Sequence, residues 1–190
     1  ERRDMANDTP PQDLLTLTLA AAQKDAVTVS ASGEEKRRLP DGASLVPANV
    51  LTDARGSLFE MGRNSRTPDA PLKDIFGFTL RPGVVKGWGL HKRHDDRYFL
   101  VYGDMEVFLF DVRSDSSTYG QLFRVTLSEK SRMTLTIPRY VWHADHNVGT
   151  TDCFTVNMPT EEYDYADPDK YRLPIDTDLI PHDFGDATGG

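Results

Sequence analysis

The chain has 190 residues, of which 38% are hydrophobic and 27% charged, which is enough for one domain with a buried core. No apolar run approaches the roughly 20 residues that cross a bilayer, which excludes an integral membrane protein with spanning helices. The 30 acidic and 22 basic residues give a net charge of -8, which argues against nucleic-acid binding. The single cysteine, Cys153, excludes an internal disulfide, and the N-terminus lacks a secretory apolar segment, so we expect a cytoplasmic protein.

Residues 1–49 are predicted to form an N-terminal arm with one helix. Most of this segment is polar and rich in turn residues, whereas residues 14–27 carry sustained apolar side chains. Pro10 and Pro11 form a suitable helix entry, because proline is tolerated in the first helical turn. We therefore expect a helix that is appended to the main domain.

From Val46 onward, short apolar runs alternate with turn residues, which is typical of β-structure. The regular spacing of these runs predicts an all-β sandwich or small barrel. The predicted strands are 57–61, 75–80, 98–102, 105–111, 122–127, 133–137 and 153–157.

A tight turn at Gly103 and Asp104 separates the predicted strands 98–102 and 105–111. Glycine adopts a positive φ without steric cost, and a two-residue connection of this kind favours a β-hairpin. We therefore predict that these two strands pair directly with each other.

After Asn157 the chain becomes polar and rich in proline. The prolines are Pro159, Pro168, Pro174 and Pro181. This composition predicts an ordered, irregular arm that wraps the barrel. Residues 185–190 are predicted to be a frayed tail, which leaves 50–184 as the β-domain.

Four of the five histidines fall in two close pairs, His91 with His94 and His143 with His146. Histidines on surface loops are the plainer interpretation of such pairs. The stretches around them nevertheless resemble the two cupin motifs, which favours a functional site.

The resemblance to the cupin motifs is carried by two stretches. Residues 89–103 contain a histidine, an acidic residue and a glycine at the spacing of the first motif, with Gly89 where its first histidine stands. Residues 138–147 contain the proline, histidine and asparagine of the second motif, with Tyr140 where a glycine is usual. The two stretches occur in the order that a cupin requires.

A longer resemblance, over residues 50 to 184, is to the dTDP-4-dehydrorhamnose 3,5-epimerase family of the cupin superfamily. Residues 53–60 resemble the family's opening Asp-x-Arg-Gly segment, and residues 87–91 resemble its Arg-Gly-Leu-His. Residues 111–120 and 137–143 resemble its Asp-x-Arg, Ser-x-Thr-x-Gly and Ile-Pro segments at matching spacing. The chain looks like a divergent branch of this family.

This resemblance implies a cupin jelly roll that acts as a homodimer, without a metal or other cofactor, on a nucleotide-linked 4-keto-6-deoxysugar. The family's enzymes remove a proton beside the ketone and return it to the opposite face. His91 matches the family's base, and histidine suits this role because its pKa lies near neutrality. Asp176 falls near the place of the carboxylate that partners this base in the family. The acid tyrosine is missing from its expected place near Phe154, so Tyr140 and Tyr163 are the candidate acids.

The resemblance also implies residues that hold the nucleotide sugar. Cations are needed for the diphosphate and flat side chains for the base. The candidates are Arg55, Glu60, Lys86, Trp88, Arg97, Arg113 and His143. Arg55 and Arg113 lie inside family-like motifs, and the arm around Arg55 is expected to complete the pocket of the partner subunit.

Two other functions stay open at this point. A metal-dependent cupin enzyme would hold a divalent ion with His91, Asp96 and His143, and with His94 or water as the fourth ligand. A non-catalytic nucleotide-sugar binder would keep the pocket but lack the acid and the cations of an enzyme. The leading hypothesis is an epimerase of deoxysugar or polysaccharide biosynthesis.

Overall fold

The computed structural model describes residues 13–33 and 36–190 of the chain. The chain divides into two separate units, the first ending at Arg37 and the second running from Arg38 to Gly190. The second unit carries all the strands named below and the candidate site.

The described residues of the first unit contain one helix, α1 (Leu14–Ala21), which begins at the predicted residue but is shorter than predicted. Asp13 caps it, because its side chain accepts a hydrogen bond from the backbone N–H of the second helical residue. The predicted entry at Pro10 and Pro11 lies outside the described residues. No helix among the described residues is long and apolar enough to cross a membrane.

The second unit is built from two β-sheets and a separate hairpin. The strands are β1 (Ser44–Pro47), β2 (Val50–Asp53), β3 (Gly56–Phe59), β4 (Phe76–Leu80), β5 (Val84–Leu90), β6 (Asp96–Tyr102), β7 (Asp104–Asp111), β8 (Leu122–Ser128), β9 (Met133–Ile137), β10 (Val141–Asn147), β11 (Cys153–Asn157), β12 (Tyr171–Arg172) and β13 (Thr188–Gly189), with a short 3-10 helix at Asn64–Arg66. The first sheet has the order β1-β9-β6-β11-β4. The second has the order β12-β5-β10-β7-β8, with β13 also paired to β5, and β2 pairs with β3. The all-β prediction is confirmed, and each predicted strand agrees within two residues at either end.

The predicted hairpin at Gly103 is wrong. The tight turn is present, since β6 ends at Tyr102, β7 begins at Asp104, and Gly103 between them has a φ of 89°. β6, however, pairs with β9 and β11 in the first sheet, whereas β7 pairs with β8 and β10 in the second. The turn therefore carries the chain from one sheet to the other, so that the apolar faces of both strands are buried in one core.

Two strands that position the candidate site, β5 and β10, were not predicted, although they pair with each other. β5 contains Gly87 and Gly89, and β10 contains His143 and Asp145 at inward-facing positions. These residues interrupt the alternation of apolar and polar side chains that indicates a strand. The missing alternation marks the place where the sandwich interior is polar.

The sheets also extend into both terminal segments of the sequence. β1, within the segment 1–49 predicted to be an arm, pairs with β9 along its whole length. β13, within the predicted tail 185–190, pairs with Val84 and Val85 at the start of β5. Backbone hydrogen bonds to an existing sheet hold these short strands, which have no apolar pattern of their own.

Alternate residues of each strand fill the space between the sheets, as the two-residue period of a strand requires. On β6, Tyr98 and Leu100 face this core, while Phe99 faces the outer side of the first sheet. The core also contains Leu80, Met105, Val107, Leu109, Leu135 and Ile137. At one end of the same interior, the inward positions are polar.

The C-terminal segment packs on the outer face of the second sheet, as the proline-rich sequence predicts. Ile180 and Phe184 contact Val85, Trp88 and Phe108 there. Trp88 is therefore part of the packing beneath this arm, which corrects its prediction as a substrate-binding residue. β12 and β13, both in this arm, pair with opposite ends of β5 and hold the arm in place.

Asp111, at the end of β7, is fully buried and organises the loop that follows it. Its carboxylate accepts hydrogen bonds from Arg113 Nε at 2.9 Å, and from the hydroxyls of Ser116 and Thr118 at 2.6 Å each. Arg113 also donates to the backbone carbonyl of Asp41 at 2.6 Å. Arg113 thus stabilises this loop, and its role in substrate binding stays a prediction.

We expect Asp111→Asn to lower the free energy of unfolding by roughly 1–3 kcal/mol at pH 7, because charged hydrogen bonds are lost from a buried position. Burial acts to raise the pKa of Asp111, but the bonds from Arg113, Ser116 and Thr118 hold it below its usual value. A lowered pKa adds stability above about pH 4, and this contribution is lost as the pH falls further.

Urea denaturation at several pH values checks this prediction. The difference between the wild type and Asp111→Asn should shrink as the pH falls from about 4 toward 2. Asp115→Asn, at an exposed position in the same loop, is the matched control and should leave stability unchanged. Equal stability of Asp111→Asn and the wild type at pH 7 would contradict the assignment.

Candidate functional site

A pocket opens at the polar end of the sandwich interior. β4, β5, β6, β10 and β11 supply its walls, and the segment after β11 closes one side. It is lined by Phe76, Lys86, Gly87, Gly89, His91, His94, Asp96, Tyr98, His143, Asp145, Asn157, Pro159, Glu161, Tyr163, Asp169, Lys170 and Arg172. Most of these side chains are polar or charged, so this end of the interior is suited to a polar ligand.

Asp96 lies among three histidines in this pocket. Its Oδ2 is 3.3 Å from Nε2 of His91 and 3.6 Å from Nε2 of His143. Its Oδ1 is 3.5 Å from Nε2 of His94 and accepts a hydrogen bond of 2.8 Å from Asn157. Asp96 is almost completely buried, so its charge acts on these groups with little screening by water.

Asp169, in the C-terminal segment, orients two of the histidines. Its backbone carbonyl contacts Nδ1 of His91, and its carboxylate lies 3.2 Å from Nδ1 of His94. The same carboxylate accepts hydrogen bonds from the backbone N–H groups of Lys92 at 3.0 Å and Arg93 at 2.7 Å. Both histidines therefore direct Nε2 toward Asp96 and the pocket.

The pKa values of the buried groups are shifted in different directions from their usual values. Burial acts to raise the pKa of Asp96, but hydrogen bonds from His91 and His94 hold it well below its usual value. Burial acts to lower the pKa of His91, but the hydrogen bond and charge of Asp96 outweigh it, so this pKa is raised. Burial lowers the pKa of His143 to about 4 despite the charge of Asp96, so His143 is neutral at pH 7.

Lys86 and Asp145 form another wall of the pocket, with 3.7 Å between Nζ and Oδ2. The Nζ of Lys86 also lies 3.6 Å from the ring centroid of Phe78. Burial raises the pKa of Asp145 to about 6, and Lys86 offsets only part of this effect. Burial, together with the charges of Asp145 and Asp96, raises the pKa of Tyr98 well above its usual value, so its hydroxyl stays protonated.

The pocket is lined by four of the residues predicted to react with or bind the substrate, His91, His143, Lys86 and Tyr163. Two residues predicted as metal ligands, Asp96 and His94, line it as well. Gly89, which stands where the first cupin motif has a histidine, faces His143. A Cβ at Gly89 would lie 3.3 Å from Nε2 of His143, so glycine leaves room for that ring.

Two predicted catalytic residues lie elsewhere. Asp176 is exposed in a surface depression of the C-terminal arm, and the carboxyl residues that contact His91 are Asp96 and Asp169 instead. Tyr140 donates its backbone N–H to the carbonyl of His91 at 2.8 Å, but its side chain is 42% exposed. Its φ of 62° lies in the left-handed region, which explains why glycine is usual at this place in the motif.

Three predicted binding residues also lie away from the pocket. Arg55 is at the tip of the β2–β3 hairpin, where its side chain is 90% exposed and pairs with Asp53 at 2.5 Å. Glu60 and Arg97 line a different cavity on the outer side of the first sheet. Within the subunit, the pocket therefore contains fewer of the predicted cations than the sequence indicates.

Several pocket residues were missed by sequence reasoning, among them Asp169, Tyr98 and Asp145. Tyr98 and Asp145 each lie two positions beyond a motif residue, Asp96 or His143, and a strand places such positions on the same face. The strand period identifies both of them once β6 and β10 are recognised. Asp169 had only the weak signal of an acidic residue beside a proline in an irregular segment.

The histidine cluster has the donor set of a divalent-metal site. One ligand atom each from His91, His94 and Asp96 lies within 4.8 Å of the others. Imidazole and carboxylate ligands suit zinc, iron and manganese. The contacts from Asp169 to Nδ1 of both histidines are of the kind that orients metal-binding imidazoles. The residues present therefore fit a divalent ion.

Comparison with known proteins covers most of the chain. The family model described as polysaccharide biosynthesis C-terminal domain matches residues 51–171. A probable low-salt glycan biosynthesis epimerase of Haloferax volcanii is 34% identical over 138 residues, which cover 71% of this chain and 88% of that protein. The family match includes the strands and motifs that line the pocket.

Solved structures share the same fold. A dTDP sugar isomerase from Desulfovibrio desulfuricans superposes with a TM-score of 0.72 at 25% identity, covering 80% of this chain and 98% of that chain. A dTDP-4-dehydrorhamnose 3,5-epimerase from Elizabethkingia anophelis superposes with a TM-score of 0.66 at 15% identity, covering 78% and 84% of the two chains. The cupin jelly-roll prediction is confirmed.

Proposed function

The chain belongs to the polysaccharide biosynthesis C-terminal domain family, and we propose that it is a sugar epimerase of the dTDP-4-dehydrorhamnose 3,5-epimerase type. The substrate is a nucleotide-linked 4-keto-6-deoxysugar, with dTDP as the carrier. The enzyme inverts a carbon beside the ketone by removing its proton and returning one to the opposite face. We place this reaction in the cytoplasm.

The orientation of His91 is the observation that carries this proposal. Its Nδ1 is held by the backbone carbonyl of Asp169, so in the neutral ring Nδ1 keeps its proton and Nε2 has the free electron pair. Nε2 faces the pocket beside Asp96, whose charge stabilises the imidazolium that forms when the ring accepts a proton. His91 therefore has the position and the charge partner that a base requires.

Three other side chains complete the proposed mechanism. Removing the proton leaves an enolate, and its negative oxygen is stabilised by the ammonium group of Lys86. His143 is neutral at pH 7 and provides hydrogen bonding without a second positive charge beside His91. Tyr163, the one predicted acid that lines the pocket, returns a proton from the other side. Solvent then takes the proton from His91 and restores the phenol.

The diphosphate of the substrate is assigned to the mouth of the pocket, where Lys170 and Arg172 line the wall. We further propose a homodimer, in which the β2–β3 hairpin places Arg55 in the pocket of the partner subunit. Leu51 and Leu58 on this hairpin are 69% and 65% exposed, and a partner surface would cover them. This arrangement accounts for the small number of cations in the pocket of one subunit.

Hydrogen exchange from solvent tests the proposed reaction. We expect purified protein in deuterated water to incorporate deuterium at a carbon beside the ketone of dTDP-4-keto-6-deoxyglucose, as followed by NMR. The position of incorporation identifies the carbon that reacts, and the UDP-linked sugar tests the choice of carrier. Tight binding without exchange would instead support a non-catalytic binder of the nucleotide sugar.

A divalent-metal enzyme is the second candidate, because three acceptor atoms converge in the pocket. Because Nδ1 of His91 and of His94 is directed at Asp169, the Nε2 atoms of both rings face the carboxylate of Asp96. Unprotonated Nε2 atoms and carboxylate oxygens are all acceptors, so a proton or a cation is needed between the rings and the carboxylate. His91, His94 and Asp96 would hold the ion, with His143 beside them. A bound ion would supply Lewis-acid polarisation of the ketone.

Metal analysis of the purified protein separates the two candidates. The metal-free proposal expects less than stoichiometric zinc, iron or manganese, and the same exchange rate after dialysis against chelator. The metal-dependent candidate expects one bound ion per chain, and exchange that is lost after chelation and restored by that ion. In that case His91 would be a metal ligand and not the base.

A further inference from the structure

A second cavity, of about 260 Å³, lies on the outer side of the first sheet, away from the histidines. Its walls come from β1, β9, β6 and the segment around residues 60–72. Strand β6 lies between this cavity and the pocket of the histidines. Asp96 and Tyr98 on this strand face the interior of the sandwich, whereas Arg97 between them faces outward into the cavity. The two sites therefore share a strand but use opposite faces of it.

Arg97 is unusual among the residues of this cavity, because it is a buried cation with unused donors. Its relative exposure is only 5%. Its Nη2 donates to the backbone carbonyl of Ala70, but among the described residues Nε and Nη1 have no hydrogen-bond partner. Buried donors and buried charges are normally satisfied, so this side chain indicates a missing acceptor.

Other charges near Arg97 do not supply that acceptor. Glu60 lines the cavity, but its carboxylate is engaged by Arg63 and, at 2.9 Å, by Arg66. Asp95, the acidic neighbour of Arg97, accepts a hydrogen bond from the backbone N–H of Arg139 at 2.9 Å. Three arginines and one glutamate thus line a cavity with an excess of positive charge.

The size of the cavity and the polar part of its lining suit a small oxyanion, while Val46, Met61 and Leu72 contribute apolar walls. Its volume exceeds the roughly 30 Å³ of one water several times, so it has room for a phosphate group with water around it. The hydroxyl residues Ser44 and Thr136 are direct neighbours on β1 and β9 and line the same space. The flat, forked guanidinium of Arg97 suits an acceptor with two oxygens.

We propose that this cavity is a second binding site, for a phosphate-sized oxyanion that pairs with Arg97. The ligand is a free phosphate or a phosphate group of a small metabolite. The site is distinct from the pocket of the reaction, and its occupancy stabilises the fold by neutralising a buried charge.

Thermal unfolding with inorganic phosphate, at constant ionic strength, tests the proposal. We expect saturating phosphate to raise the Tm of the wild type by roughly 5 °C. Arg97→Met removes the charge with little loss of packing, and we expect its Tm in phosphate-free buffer to equal or exceed that of the wild type. Phosphate should then leave the Tm of this variant unchanged, and titration calorimetry should show one site fewer than in the wild type.

Three controls make the result specific. Lys86→Met weakens anion binding in the reaction pocket and should keep the phosphate effect, while Arg124→Met, at a 65% exposed position on β8, should behave as the wild type. Arg97→Lys keeps the charge without the fork and should bind phosphate more weakly, which also covers the case in which Arg97→Met does not fold. The same phosphate effect in the wild type and Arg97→Met would overturn the proposal. The absence of a phosphate effect in the wild type would also overturn it, and dissociation of the dimer in Arg97→Met would then indicate that a carboxylate of the partner subunit occupies the cavity.

Discussion

Replacement of His91 by alanine is expected to lower the rate of deuterium incorporation by about 10²–10⁴-fold, the usual contribution of a general base. The reason is geometric, because Asp169 holds the ring so that Nε2 faces the pocket beside Asp96. Substrate binding should change much less, since the effect lies in proton removal. Single-turnover exchange followed by NMR, together with a binding isotherm, measures the two quantities separately.

The pH dependence provides a second readout for His91. The base must be unprotonated, and its pKa is raised above the usual value of about 6.5, with Asp96 outweighing the effect of burial. Exchange should therefore fall as the pH is lowered through this raised pKa. His146→Ala is the matched control, since His146 lies on β10, three residues from His143, and contacts Phe184 on the outer face. Unchanged exchange in His91→Ala would refute the assignment of the base.

Replacement of Lys86 by methionine is expected to lower the exchange rate by about 10²–10³-fold, comparable to the loss of one donor to a developing oxyanion. Lys86 places an ammonium group in the pocket between Asp145 and the ring of Phe78. Methionine has similar length but no charge, so the packing against Phe78 is retained while the stabilisation of the enolate is lost.

The conservative variant distinguishes charge from packing at this position. Lys86→Arg should recover part of the exchange, because it restores a positive charge at the same wall, whereas Lys130→Met, in an exposed turn, should exchange as the wild type. A loss of nucleotide-sugar affinity in Lys86→Met with no change in the bound exchange rate would assign Lys86 to binding and not to the enolate.

The motif residues of the site were predictable because their spacing is local. His91, Asp96 and His143 each belong to a short stretch whose order and spacing resemble known motifs, and the structure brings all three together. The second carboxyl residue, Asp169, was not predictable from such spacing. It reaches His91 from an irregular segment that is held there by the pairing of β12 with β5 and by hydrogen bonds from Lys92 and Arg93.

The residues predicted to bind the substrate, in contrast, could not be placed from their sequence spacing. Lys86 and Trp88 are two positions apart in the sequence, yet Lys86 lines the pocket and Trp88 packs beneath the C-terminal arm. A register irregularity between β5 and β10, located between His143 and Asp145, accompanies this change of face. Such irregularities arise from pairing with another strand, so a simple period of two does not predict them.

The sequence by itself determined the all-β class, most strands, the family and the three residues around which the site is built, because apolar alternation and motif spacing are local properties of the chain. Only the tertiary structure decided which strands pair, as the turn at Gly103 shows by joining different sheets instead of forming a hairpin. It also decided which cations face the reaction pocket and which, like Arg97, face a separate cavity. The physical reason is that the partners of a strand, and the side to which each of its side chains points, depend on burial against residues distant in the chain. A local sequence pattern contains no information about those residues.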